Sequence, residues 1–256
     1  MRESKARVTA ISLARRPDRW HAIETHLNSV LPANAPPLDI FAGSDAKAAV
    51  EKSNHNNKDA VAAIEAAFGC QIYRGWPITE TDDVRRCYPH LADASEAAAW
   101  IGYQKACAAC FRPDRARLYH DFFMRHLAVG EMGASHSHLR VIERAYSEGL
   151  DLQIIFEDDA RPTADAVPML LAEVDLLQQH GIDWDLIYLH SANYGRRPEP
   201  PIDLEPSKLC YAGHRRVTHA YALSRRGIER IATCGYRESR MLHLHYARTH
   251  GVARLS

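Results

Sequence analysis

Short apolar runs alternate along this chain with longer stretches in which apolar residues recur every three or four positions, the pattern of strands interleaved with helices. Arg7 to Leu13 alternates and then runs apolar, which predicts a first strand. Arg15-Arg16-Pro17-Asp18-Arg19 breaks it, and Pro17 suits the first turn of a helix carried to about Val30 by Trp20, Ile23, His26 and Leu27. Pro32, Pro36 and Pro37 end that helix, and Leu38 to Phe41 forms a short second strand closed by Ala42-Gly43-Ser44-Asp45. Beyond Gly130 the order is clear again. Glu131 to Glu148 has helical spacing with Gly149 as its C′ residue, Leu152 to Phe156 is a strand, and Ala164 to His180 is a helix. Asp185 to His190 is a strand, Pro198 to Pro206 a proline-rich loop, Arg216 to Leu223 a strand, and Ser224 caps a helix through Ala232. This alternation predicts a mostly parallel sheet covered by helices on both faces.

Between Ala46 and about Val129 the pattern is harder to read. It holds a polar tract (Ser53 to Lys58), an alanine-rich helix, a turn-prone segment at Gly75-Trp76-Pro77, and a stronger helix over Ala97 to Cys110 with Asp93 or Ser95 as N-cap. We read 1–256 as a single domain, with 46–128 a helical insertion and 236–256 a short C-terminal tail.

Composition narrows the function classes. The chain has 32 basic and 32 acidic residues, so nothing marks a nucleic-acid surface. The charged start, Met1 to Arg7, leads into an apolar stretch too brief for a signal peptide, and no apolar run reaches the length of a membrane span. The expected location is the cytoplasm, peripheral to the inner membrane face at most. Cys107 and Cys110 form a CxxC without the second half of a zinc ribbon; in an alanine-rich helix they read as small apolar residues in a reducing compartment.

The richest chemistry lies in Ile154-Ile155-Phe156-Glu157-Asp158-Asp159. Three apolar residues of a buried strand end in three carboxylates, where a parallel sheet opens into a ligand crevice. Crowded acids repel unless a cation sits among them, and a hard divalent ion is the natural occupant, a diphosphate completing its oxygen shell. The alternative is a solvated acidic turn.

Four segments, in order, resemble motifs of glycosyltransferase family 25, the lipopolysaccharide and procollagen galactosyltransferase group. Ile11-Ser12-Leu13-Ala14-Arg15-Arg16-Pro17-Asp18-Arg19 is similar to its I-N-L-x-R-R-x-D-R, and Gly130 to His138 to its G-E-x-G-C-x-x-S-H, with Ala134 in place of the cysteine. Phe156-Glu157-Asp158-Asp159 matches F-E-D-D, and Thr218 to Ser224 matches T-H-A-Y-x-x-S. The resemblance covers about 1–45 and 129–235.

It implies a GT-A-like nucleotide-diphospho-sugar transferase fold, a manganese-type divalent cation, and often a UDP-galactose donor. In those terms Asp159 is the direct metal ligand, Glu157 a metal or ribose contact, and Asp158 a neighbour whose charge helps hold the ion. Leu13, Arg16, Arg19, Asp45 and His219 fall on the donor side, where guanidinium groups match phosphate oxygens in pairs. A solvated helix start is the alternative for each arginine, a turn acid for Asp45, and a core histidine for His219. Glu131, Ser135 and His138 share one helix face, and Glu131 and His138 are candidates for catalysis. Ser137 and His138 read equally as buried groups tying helix to strand.

A transferase also needs a base for the acceptor hydroxyl. Family members usually carry another acidic segment after the T-H-A-Y strand and its helix; here only Glu238 is acidic, among His243, His245 and His250. Asp183 and Asp185 are weaker candidates. The expectation is a transferase moving a hexose, in the family's manner galactose, from a nucleotide-diphosphate sugar to a glycan such as lipopolysaccharide. The rival is a degenerate relative that binds nucleotide sugar or a partner without turnover.

Overall fold

The computed structural model describes residues 5–53, 60–69, 129–190, 201–211, 219–233 and 252–255. Its contacts divide the chain into two compact units: Met1–Asp45, Gly133–Cys234 and Met241–Ser256 form one, Ala46–Met132 and Gly235–Arg240 the other.

The first unit is built on a seven-stranded sheet. Its strands are β1 (Ala6–Ser12), β2 (Leu38–Ala42), β3 (Leu152–Glu157), β4 (Leu186–His190), β5 (Leu209–Tyr211), β6 (Ala220–Ser224) and β7 (Val252–Leu255), in the order β2-β1-β3-β6-β4-β7-β5. The pairings β1–β2, β1–β3 and β4–β7 are parallel, and only β6 and β5 run against the rest. The molecule is therefore an α/β protein with an open, mixed, mostly parallel sheet flanked by helices, the arrangement of a GT-A-like fold.

Alternation along the strands explains why both faces are covered. Val8, Ala10, Ile154, Phe156, Ile187, Ala220 and Ala222 point to one face, where α1 (Pro17–Val30) contributes Ile23 and Leu27, and α5 (Ala166–Gln179) contributes Val167, Leu170 and Leu177. Ile11, Ile155, Leu186, Tyr188, Tyr221 and Leu223 point to the other. There they meet Val141, Ile142 and Ala145 of α4 (Val129–Ser147), and Ile228 and Ile231 of α6 (Arg225–Thr233).

Local chemistry sets the helix ends. Pro17 opens α1. Gly149 takes the left-handed φ of +69° that closes α4, with the Leu150 amide donating back to the Ala145 carbonyl at 3.0 Å. The Ser224 hydroxyl accepts the Gly227 amide hydrogen at 3.1 Å and caps α6. Close packing requires glycine at 227: a Cβ there would stand 2.1 Å from the Asp185 carbonyl oxygen.

Two strands depart from the expected pattern. Leu209–Tyr211 lies in a stretch given no element, and Val252–Leu255, expected as part of a short tail, is a sheet strand between β4 and β5. Both are too short to show alternation. The strand expected over Arg216 to Leu223 is seen from Ala220, residues 212–218 lying outside the described set.

The second unit contains α2 (Ala46–Lys52) and α3 (Ala60–Phe68), with Ala46, Ile64 and Met132 buried together against Val50, Phe68 and Val129. The helix expected over Ala97 to Cys110, with its CxxC, lies outside the described residues.

Candidate functional site

The site forms where β3 ends beside the start of β6. Because β6 is antiparallel, its first residues arrive at the edge where β3 finishes, and the Glu157 amide donates to the His219 carbonyl at 2.8 Å. β3 ends at Glu157, and in the turn that follows Asp158 goes to β1 and α1 while Asp159 stays beside Glu157 and His219. The acidic run is thereby divided in two.

Asp158 turns to β1 and α1. Its Oδ2 accepts from the Ser12 hydroxyl at 3.0 Å and its Oδ1 from Arg19 Nη1 at 3.1 Å. Its charge is met by fixed protein groups.

Glu157 and Asp159 instead meet imidazoles. His219 Nε2 lies 4.0 Å from Glu157 Oε2 and 3.8 Å from Asp159 Oδ2, and one ligand atom from each of the three residues falls within 4.8 Å of the others. Two ligands each about 2.1 Å from a shared ion stand up to ~4.2 Å apart, so this spacing fits a single cation with small side-chain adjustment. Two carboxylates and an imidazole make a mixed oxygen and nitrogen donor set of the kind that divalent ions accept. Asp159 is 48% exposed, which leaves room for oxygen ligands from a bound molecule.

Behind Glu157 stands His138 of α4, only 3% exposed. Its Nε2 lies 3.1 Å from Glu157 Oε1, its Nδ1 lies 2.8 Å from the Tyr221 hydroxyl, and the two rings stack at 5.6 Å. Burial, then the Glu157 charge and Tyr188, hold the Tyr221 phenol well above its ordinary pKa, so it stays protonated. Tyr221 was legible only as part of a strand motif. The signal that singles it out is its place two residues after His219, on the same strand face.

The arginines after β1 are engaged with acids. Arg15 pairs with Asp45, and Arg16 forms a bidentate pair with Asp18 on the surface, holding the Asp18 carboxyl down at about 2. Arg19 is the one the structure brings to the acidic run, through Asp158. Leu13 begins the turn between β1 and α1, its carbonyl accepting the Arg16 amide at 2.8 Å.

Other candidates have local roles. The Ser137 hydroxyl accepts from the Ser44 amide at 2.8 Å and donates to the Gly133 carbonyl at 2.6 Å, tying α4 to the loop after β2. Ser135 is buried, its hydroxyl without a hydrogen-bond partner among the described residues. Asp185, fully buried, accepts from Arg226 Nε at 2.7 Å and Arg230 Nη1 at 2.6 Å, while Asp183 is 81% exposed and pairs with Arg226. Asp185 thus anchors α6 to the opposite edge of the sheet from Glu157. Glu131 lies in the first turn of α4 with its side chain outside the described set, and Glu238, His243, His245 and His250 lie outside it altogether.

No protein-family model matches this chain. A stretch of 107 residues is 31% identical to the "Probable inactive glycosyltransferase 25 family member 3" of Bos taurus, and equally to the "Inactive glycosyltransferase 25 family member 3" of Homo sapiens. The match spans 42% of this chain and only 18% of each relative's length.

Proposed function

We propose that this chain is a family 25-type glycosyltransferase domain. The observation that carries this reading is the grouping of Glu157, Asp159 and His219 at the open edge of a GT-A-like sheet. In this reading the three residues hold a divalent cation, manganese first, whose role is to neutralise charge on a departing nucleoside diphosphate. Arg16 and Arg19, with Leu13 and Asp45, lie along the donor side, where a nucleotide meets the ends of β1 and β2. The donor is a UDP-sugar, the group moved a hexose such as galactose, and the acceptor a glycan such as lipopolysaccharide. Transfer breaks the bond from the sugar's C1 to the diphosphate, forms one to the acceptor oxygen, and delivers the acceptor's proton to a base. Glu131 and Glu238 are the candidates for that base. His138, held between Tyr221 and Glu157, is placed to support the donor site. A cytoplasmic location, peripheral to a membrane at most, belongs to the same proposal; no helix among the described residues is long and apolar enough to cross a membrane.

A second reading has its own observation: both relatives are named inactive. A protein of that kind would keep the donor site and lose turnover. Manganese-dependent hydrolysis of a panel of UDP-sugars separates the two, with Asp159→Ala as control. Turnover by the wild type that is lost in Asp159→Ala supports the transferase. Metal-dependent UDP binding without turnover supports the second reading, and turnover unchanged in Asp159→Ala sinks the cation site itself.

A further inference from the structure

Glu157 is held from behind by a two-member chain that runs from β6 through α4 to the end of β3. The Tyr221 hydroxyl, His138 and Glu157 Oε1 are linked at 2.8 and 3.1 Å, and both Tyr221 and His138 are 3% exposed. The hydrogen positions follow from what each partner can do. An ionised carboxylate only accepts, so His138 Nε2 carries the hydrogen and donates it to Glu157 Oε1. In the neutral imidazole Nδ1 then has only a lone pair to offer, and the protonated Tyr221 hydroxyl donates to it. A partner at each ring nitrogen fixes the imidazole's plane, and the Glu157 carboxylate calls for the hydrogen on Nε2.

The consequence falls on Glu157. With Oε1 engaged by His138, the carboxylate cannot rotate freely, and Oε2 is the oxygen turned to His219, 4.0 Å from its Nε2. The three elements involved converge by topology. Tyr221 and His219 share a face of β6, Glu157 ends the neighbouring β3, and His138 comes from α4 packed on that face.

We propose that Tyr221 and His138 are positioning residues for the cation site: they preset Glu157 so that a single oxygen, Oε2, faces Asp159 and His219. This rests on the cation reading above and adds to it a residue pair that touches neither metal nor substrate. A hydrogen-bonded partner behind a metal-binding group typically sets 10–100-fold of affinity, because it removes the orientational freedom that binding would otherwise have to remove.

The test is manganese affinity by titration calorimetry in four proteins, with urea midpoints as the check on folding. His138→Gln keeps an N–H at the place of Nε2, whereas His138→Asn is too short to reach Glu157. Expected are a loss of about 10–100-fold in His138→Asn, a smaller loss in Tyr221→Phe, and affinity within a few-fold of wild type in His138→Gln. Nitrogen-15 NMR of the metal-free wild type supplies a readout independent of any variant, and the expected form of His138 is the Nε2–H tautomer. Wild-type binding with unchanged affinity in His138→Asn overturns the positioning role while leaving the cation site standing. The Nδ1–H tautomer overturns it even where the variants fail to fold. No manganese binding by the wild type, with the Nε2–H tautomer present, overturns the cation reading and this inference together.

Discussion

Asp185 and Asp159 stand at opposite edges of one sheet and show two ways to keep a carboxylate there. Asp185 is fully buried, and two arginines from α6 close on its two oxygens. Asp159 is half exposed, and among the described residues its ion-pair partner is an imidazole 3.8 Å away. The first carboxylate has its counter-charge built in and can do nothing else. The second sits beside Glu157 and His219 with half its surface open to solvent, where a bound cation could reach it. Asp158 makes the same point beside it: it is satisfied by Ser12 and Arg19, while Asp159 stays half exposed.

The contrast is sharpest in variants that exchange stability for binding. Asp185→Ala removes the carboxylate that Arg226 and Arg230 share; with both guanidinium groups a third or more exposed and Arg226 keeping Asp183, the expected loss is about 1–3 kcal/mol in urea unfolding, with manganese affinity of the folded protein unchanged. Asp159→Asn should do the reverse, leaving the unfolding midpoint within about 0.5 kcal/mol of wild type and removing manganese binding. A large stability loss in Asp159→Asn would erase the distinction between the two edges.

A smaller effect tests the polar chain behind the open edge. Tyr221 has a folded pKa raised above the ordinary 10.0, so the folded protein keeps a proton that the unfolded chain gives up. Stability should therefore fall as pH rises through 10, by up to ~1.4 kcal/mol per unit from this group. In Tyr221→Phe that part of the slope should vanish, as read from urea midpoints between pH 9 and about 11. The smallest change belongs to the closed edge. Ser224→Ala removes the cap of α6 and should cost about 1 kcal/mol without altering manganese affinity.

Some of this was legible in the residues and some could not be. The helix Pro17–Val30 and the strand ending at Glu157 follow directly from periodicity, proline placement and a run of branched apolar side chains. The Ser224 cap and the Gly149 end of α4 were readable because they are chemistry within a few residues. The pairing of His219 with Glu157 was not. It depends on β6 lying antiparallel against β3, and no local pattern states which strands will be neighbours. For the same reason Asp185 looked like a weak catalytic candidate. Only α6, packed so closely that Gly227 touches its carbonyl, reveals it as an anchor. The division of the acidic run was not legible either: Asp158 and Asp159 lie in the turn after β3, beyond the reach of strand alternation, and which acid met the arginine required the place of α1.

The reversed direction of β6 carries one further consequence. His219 and Glu157 are 62 positions apart in the chain and meet only when Ile155 stands opposite Tyr221. A slip of one residue would turn His219 to the other face of the sheet and scatter the cluster. An ion held here would thus act as a clasp on strand register. It would recognise only the correctly paired chain and, at a hundred times its dissociation constant, would add about 2.7 kcal/mol to the folded state. The edge that gives up built-in counter-charge for chemistry would then recover, from its ligand, the steadiness that the opposite edge draws from arginine.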